Sequence, residues 1–123
     1  MRNRHVLYDV WVDDPAPLER VAPLEDLLTR AALAGGATIL HGYFHPFAPC
    51  GVTGFLLLAE SHLSVHTWPE EGFAAFDIFS CGDMDTDAIV DTVRAALRPA
   101  RERLQLIHRG SGPGEGGPSC PVR

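Results

Sequence analysis

Residues 51–81 read GVTGFLLLAESHLSVHTWPEEGFAAFDIFSC, and the pattern of this stretch decides the fold. Gly51 to Glu60 contains an unbroken apolar run, Phe55 to Ala59, which predicts a strand buried on both faces. Immediately after it, Leu63, Val65 and Thr67 alternate with Ser64, His66 and Trp68, so a second strand with two unlike faces follows. Pro69-Glu70-Glu71-Gly72 has the residues of a turn, and Phe73 to Cys81 returns as a third strand. Strands joined this closely meander antiparallel, because parallel neighbours need a long crossover.

Working outward, His5 to Val12 is rich in β-branched and aromatic residues and predicts a strand that Asp13-Asp14-Pro15 stops. Leu18, Val21, Leu24, Leu27, Leu28, Ala31 and Ala32 recur at helical spacing up to Ala34. Pro23 is expected to split a short lead-in from the main helix, and Gly35-Gly36 to end it. Ala37 to Phe47 predicts another strand, closed by Pro46 and Pro49. Beyond the polar loop Gly82 to Thr86, a second helix is expected, with Thr86 as its cap and Ile89, Val90, Val93, Ala96 and Leu97 on its apolar face. Arg103 to His108 alternates as a last strand. The order predicts an α+β two-layer sandwich, a mainly antiparallel sheet with two helices on one face, in a single domain spanning residues 1–109. The glycine- and proline-rich residues 110–123 are expected to be a disordered tail. The sheet face without helices should be apolar and open, so a homodimer is expected to cover it.

With 123 residues there is room for one core only, and 46% hydrophobic against 21% charged residues is the balance of a folded domain. A net charge of −6 with no run of Lys and Arg argues against nucleic acid as a partner. No segment approaches the roughly 18 apolar residues of a membrane span. Cys50, Cys81 and Cys120 form no close pair and read as reduced thiols. The N-terminus leads straight into a strand rather than an apolar leader, so a cytoplasmic location is expected.

Chemistry concentrates in Ala59 to Glu70, where two serines, two histidines, a threonine and two carboxylates adjoin a buried strand. Polar groups in such a place cost free energy unless they are satisfied. Three readings compete. His41, His45, His62, His66 and Cys81 could ligate zinc, although no dense Cys/His cluster supports a metal and none is expected. Cys81 with His66 could form a thiolate–imidazole hydrolase pair. Third, Ser61 could attack the carbonyl of Glu60, giving an ester that elimination and hydrolysis convert to a ketone. That shift needs backbone strain, a donor for the developing oxyanion, and hydroxyl and imidazole groups nearby. The residues alone leave all three open.

The segment Ala59 to Glu70 resembles, almost residue for residue, the processing segment of bacterial and archaeal S-adenosylmethionine decarboxylase proenzymes. The likeness extends through Gly35-Gly36-Ala37-Thr38, Phe44-His45, Pro49, Gly51-Val52-Thr53-Gly54, Gly72 to Phe79 and Cys81-Gly82. It implies self-cleavage between Glu60 and Ser61 into a 1–60 chain and a 61–123 chain, with Ser61 becoming a covalent pyruvoyl group. The resemblance implies that His66 assists processing, that Thr53 aids it where relatives commonly carry serine, and that Cys81 protonates the substrate carbon after carbon dioxide leaves. It further implies that Phe47 and Trp68 stack on the substrate and that Glu70 holds its ribose. The ketone would form a Schiff base with the amine of S-adenosylmethionine, and no free cofactor would be needed. The product, decarboxylated S-adenosylmethionine, would serve polyamine synthesis as an aminopropyl donor. Pro46 and Cys50 stand where relatives commonly carry a basic and an aromatic residue, which keeps a pyruvoyl-dependent arginine or ornithine decarboxylase as the alternative. An uncleaved binding or regulatory module is the non-enzymatic alternative.

Overall fold

Alternation of inward and outward side chains sets the two layers. The structure, a computed structural model, describes residues 3–110. Its strands are β1 (Asn3–Trp11), β2 (Ile39–Pro46), β3 (Val52–Leu58), β4 (Ser61–Trp68), β5 (Phe73–Cys81) and β6 (Arg101–Arg109), with helices α1 (Val21–Ala34) and α2 (Thr86–Leu97). They form one sheet in the order β2-β3-β4-β5-β1-β6, and every neighbouring pair is antiparallel. The predicted α+β sandwich is therefore correct. Of the tail expected at 110–123, all but Gly110 lies outside the described residues.

One sheet face joins the helices in the core. Val6, Tyr8 and Val10 of β1, Leu63 and Val65 of β4, and Ala74, Phe76 and Ile78 of β5 are buried there with Leu24, Leu27, Leu28, Ile89 and Val93 of the helices. Register carries this pattern across the sheet: Leu63 pairs with Ile78, Val65 with Phe76 and Thr67 with Ala74. A slip of one residue would turn all of them outward, so the apolar alternation fixes the pairing.

Several local expectations need correction. β3 is not buried on both faces: Val52, Leu56 and Leu58 face the core, whereas Phe55 and Leu57 lie exposed on the other side. Its continuous apolar run reflects an unhelixed sheet face that is itself apolar. Pro23 does not split α1, which already starts at Val21. A proline in the first turn removes an N–H that has no intrahelical partner anyway. The lead-in is a separate short turn at Ala16–Leu18. Asp85, not Thr86, caps α2, its carboxylate accepting from the Ala88 amide at 3.0 Å. Ala96 points to solvent, and β2 begins at Ile39 rather than Ala37.

Candidate active site

The chain turns between β3 and β4 in two residues, Ala59 and Glu60, because Leu58 already pairs with Ser61. Two segments tie this turn down. Ala59 N donates to Thr38 O at 2.9 Å, and Thr38 N donates back to a Glu60 carboxylate oxygen at 3.0 Å. From β5, the carbonyl oxygen of Glu60 accepts both the Cys81 backbone N–H at 3.2 Å and its Sγ at 2.7 Å. Two donors on one carbonyl oxygen draw electron density from its carbon and are placed to stabilise negative charge there. The carbonyl so held belongs to the peptide bond before Ser61. Ser61 itself is buried, with φ of 158°, at the margin of ordinary extended backbone rather than in the left-handed region.

The opposite end of β4 carries a second group. Thr53 pairs with His66 in register, and Thr53 Oγ1 lies 3.1 Å from His66 Nδ1. His66 stacks on Trp68 with ring centroids 6.2 Å apart, and Trp68 stacks on Phe73 at 5.4 Å. Glu70 follows, itself exposed, in the turn Pro69–Glu71, whose Pro69 is buried. Phe47 is half exposed in the loop before β3, where its amide donates to Gly51 O at 2.8 Å. Gly51 takes φ of 113°, which turns the chain back into β3 and is open mainly to glycine. Thr67, between His66 and Trp68, points to the core and fastens this corner. Its Oγ1 accepts from Val52 N at 2.8 Å and donates to Leu18 O at 2.9 Å.

The two ends do not meet within one chain. Five residues separate Ser61 from His66 along a strand, about 16 Å at the usual rise. Cys81 is likewise six residues beyond Ala75, the residue paired with His66, or about 20 Å away. Ser61 was expected to face an imidazole; its partner in register across the sheet is instead Ser80. The same separation removes a Cys81–His66 hydrolase pair inside a single chain. For zinc, β3 lies between the strands bearing His41 and His45 and those bearing His62 and His66. Among the described residues, no three side chains of the His, Cys, Asp and Glu types converge as a metal would need.

Sequence reading passed over Asn3 and Ser80. Asn3 pairs with Cys81 and Ser80 with Ser61. Asn3 Oδ1 and Ser80 Oγ are both buried without a hydrogen-bond partner among the described residues. Nothing in the local sequence marks them, because each becomes significant only through cross-strand register. Between the two ends, the open face holds His5, whose Nε2 is 3.1 Å from Asp77 Oδ1, and His62 beside them. Burial lowers the pKa of His62, and the neighbouring His5 lowers it further against the pull of Asp77. Between its lowered folded value and the ordinary one near 6.5, the unfolded chain binds the extra proton, so stability falls as pH drops through that window. Replacing His62 by Gln should therefore flatten the loss of urea resistance as pH falls below 6.5, and parallel midpoints in variant and wild type would refute it.

The fold and the site thus combine a two-layer α+β domain with a carbonyl oxygen that accepts two hydrogen bonds from Cys81 immediately before a buried serine. The profile of the S-adenosylmethionine decarboxylase family matches residues 4–110, and the chain belongs to that family. It is 51% identical over 110 residues to an S-adenosylmethionine decarboxylase proenzyme of Prochlorococcus marinus, covering 89% of this chain and 88% of the relative. It is 45% identical over 111 residues to one of Parasynechococcus marenigrum, covering 89% and 86%. The crystal structure of the adenosylmethionine decarboxylase from Aquifex aeolicus superposes with a TM-score of 0.85 at 34% identity, covering 94% of this chain and 97% of that one. No helix among the described residues is long and apolar enough to cross a membrane.

Proposed function

We propose that the chain cuts itself between Glu60 and Ser61, that Ser61 becomes a pyruvoyl group, and that the processed protein decarboxylates S-adenosylmethionine. The observation that carries this is the Glu60 carbonyl oxygen, held by the N–H and Sγ of Cys81 at the bond where cleavage would fall. Family membership supports S-adenosylmethionine over arginine or ornithine as substrate, and an enzyme over an uncleaved module. A cytoplasmic location fits the reduced cysteines expected from the sequence.

The steps ask definite things of these residues. Ser61 Oγ bonds to the Glu60 carbonyl carbon while Cys81 stabilises the oxyanion; the C–N bond breaks, and the hydroxyl proton ends on the freed nitrogen. Removal of the Ser61 Cα proton by His66, held through Nδ1 by Thr53, then breaks the Cβ–Oγ bond and releases the Glu60 carboxylate; the enamine left on residue 61 takes up water and loses ammonia to give the ketone. Residues at the site suit the resulting group: residue 61 supplies its carbons, and the unpaired hydroxyl of Ser80 stands opposite it in register. A ketone there supplies an electron sink for the carbon that loses carbon dioxide. Cys81, at the same end of the sheet, is placed to return a proton. Phe47 and Trp68 offer ring faces to adenine or a sulfonium, and Glu70 offers a carboxylate to ribose hydroxyls.

Ser61 and His66 are about 16 Å apart in one chain, so His66 must come from a second copy. Two sheets packed through their open faces about a two-fold axis that lies across the strands would run one β4 against the other in reverse. The Ser61 end of each copy then meets the Thr53–His66–Trp68 end of its partner. The apolar Phe55, Leu57 and Ile107 on that face would be buried at the same time. We therefore read the active form as a homodimer of processed chain pairs.

Denaturing mass spectrometry of purified protein incubated with cyanoborohydride and S-adenosylmethionine tests the reading. Two chains are expected, with the second lighter by one ammonia than a serine-started chain and carrying a reduced substrate adduct. One intact chain without adduct would overturn the reading and favour a binding module.

A further inference from the structure

Ser80 makes and breaks no bond in the steps above, yet its position is hard to explain by packing. It is 1% exposed, and its Oγ has no hydrogen-bond partner among the described residues. An unpaired buried hydroxyl is destabilising, and alanine would fill the place without that cost, as Ala74 does on the same face of β5. Ser80 stands in register with Ser61, and both side chains lie on the buried face continued by Leu63 and Ile78. Residues directly opposite in an antiparallel pair have Cβ atoms about 4.5–5.5 Å apart, which is hydroxyl-to-hydroxyl reach.

We propose that Ser80 is a positioning residue for self-cleavage, its Oγ accepting the hydrogen bond of the Ser61 hydroxyl and aiming it at the Glu60 carbonyl carbon. The proposal rests on the reading that the chain cuts itself at this bond. Successive residues of β5 then hold the two reacting atoms. Ser80 holds the nucleophile from the buried face, and Cys81 holds the carbonyl oxygen. Ser80 gains and loses no proton overall, because the Ser61 hydroxyl proton passes to the nitrogen that leaves. An unpaired acceptor in the core is the price of having one ready when Ser61 turns to attack.

The test follows cleavage during cell-free synthesis of full-length wild type, Ser80→Ala and Ser80→Thr, with the melting temperature of each measured in parallel. Ser80→Ala should cleave about ten- to a hundredfold more slowly, as expected for a misaimed nucleophile. Its melting temperature should equal or exceed that of wild type, because the unpaired hydroxyl is gone. Ser80→Thr should restore cleavage, and the pH dependence of the residual Ser80→Ala rate should match wild type, since no base is lost. Ser80→Ala cleaving as fast as wild type would overturn the proposal, as would slow cleavage tied to a lowered melting temperature. A wild-type chain that stays whole would overturn the self-cleavage reading and this one with it.

Discussion

Ser61→Ala is expected to leave one uncleaved chain and to reduce decarboxylation of S-adenosylmethionine to background. Alanine has no hydroxyl, so the Glu60 carbonyl loses the one nucleophile joined to its own leaving nitrogen. The hydroxyl of Ser80 is no substitute: it lies on the neighbouring strand, and an ester on it could not eliminate to a ketone at residue 61. Without that ketone, the electrons released with carbon dioxide have no acceptor, and both processing and turnover disappear together. The fold should survive, because the change removes a single oxygen at the first residue of β4 and leaves the register from Leu63 to Trp68 intact. Stability should stay within about 1 kcal/mol of wild type. Gel electrophoresis, a carbon dioxide release assay and urea unfolding read the three outcomes. Two fragments from Ser61→Ala would move the cleavage bond elsewhere, and an uncleaved but active chain would remove the pyruvoyl group from the chemistry.

The same stretch shows how far the sequence could be read. Alternation in Leu63, Val65 and Thr67 against Ser64, His66 and Trp68 fixed β4 and its inward face, because a period of two has only one solution when one side is buried. β3 misled for a physical reason: an open sheet face that is itself apolar looks, in sequence, like a core. Asp85 was passed over in favour of Thr86 because either residue type can accept from the first turn, and only backbone geometry decides between them. The site was legible as a list of residues and not as an arrangement. Glu60, Ser61, His66 and Cys81 all stood out by type. The pairing of Cys81 with the Glu60 carbonyl and of Ser80 with Ser61 depends on the register of β5 against β4; the turn residues announce that the two strands are neighbours but do not say which residues meet. Nor could a motif of adjacent letters reveal that Ser61 and His66 fall at opposite ends of one strand.

That separation yields the second large effect. His66→Ala alone should remain uncleaved, since the proton on the Ser61 α-carbon then has no base, and Ser61→Ala alone should remain uncleaved for want of a nucleophile. Co-expressed with distinguishable tags, however, the two inactive chains should rescue each other in one direction only. In the mixed dimer, the His66→Ala chain keeps its own Ser61 and receives His66 from its partner, so that chain is cut. The Ser61→Ala chain stays whole in every pairing. If the pairs form at random and the chains are equal in number, about half of the His66→Ala chains find such a partner, as the two-fold symmetry of an isologous dimer requires. Cleavage therefore rises from none to about half of one tagged species and to nothing of the other. An imidazole acting within its own chain predicts the opposite, because each variant would then lack one of two groups that must meet and no mixture could restore them. Failure of rescue with dimers present by light scattering would refute the shared site, and monomers alone would refute the dimer itself. The expected outcome follows from the length of β4: a strand cannot bend a histidine about 16 Å back to its own first residue, and a second strand laid across it in reverse can bring one there.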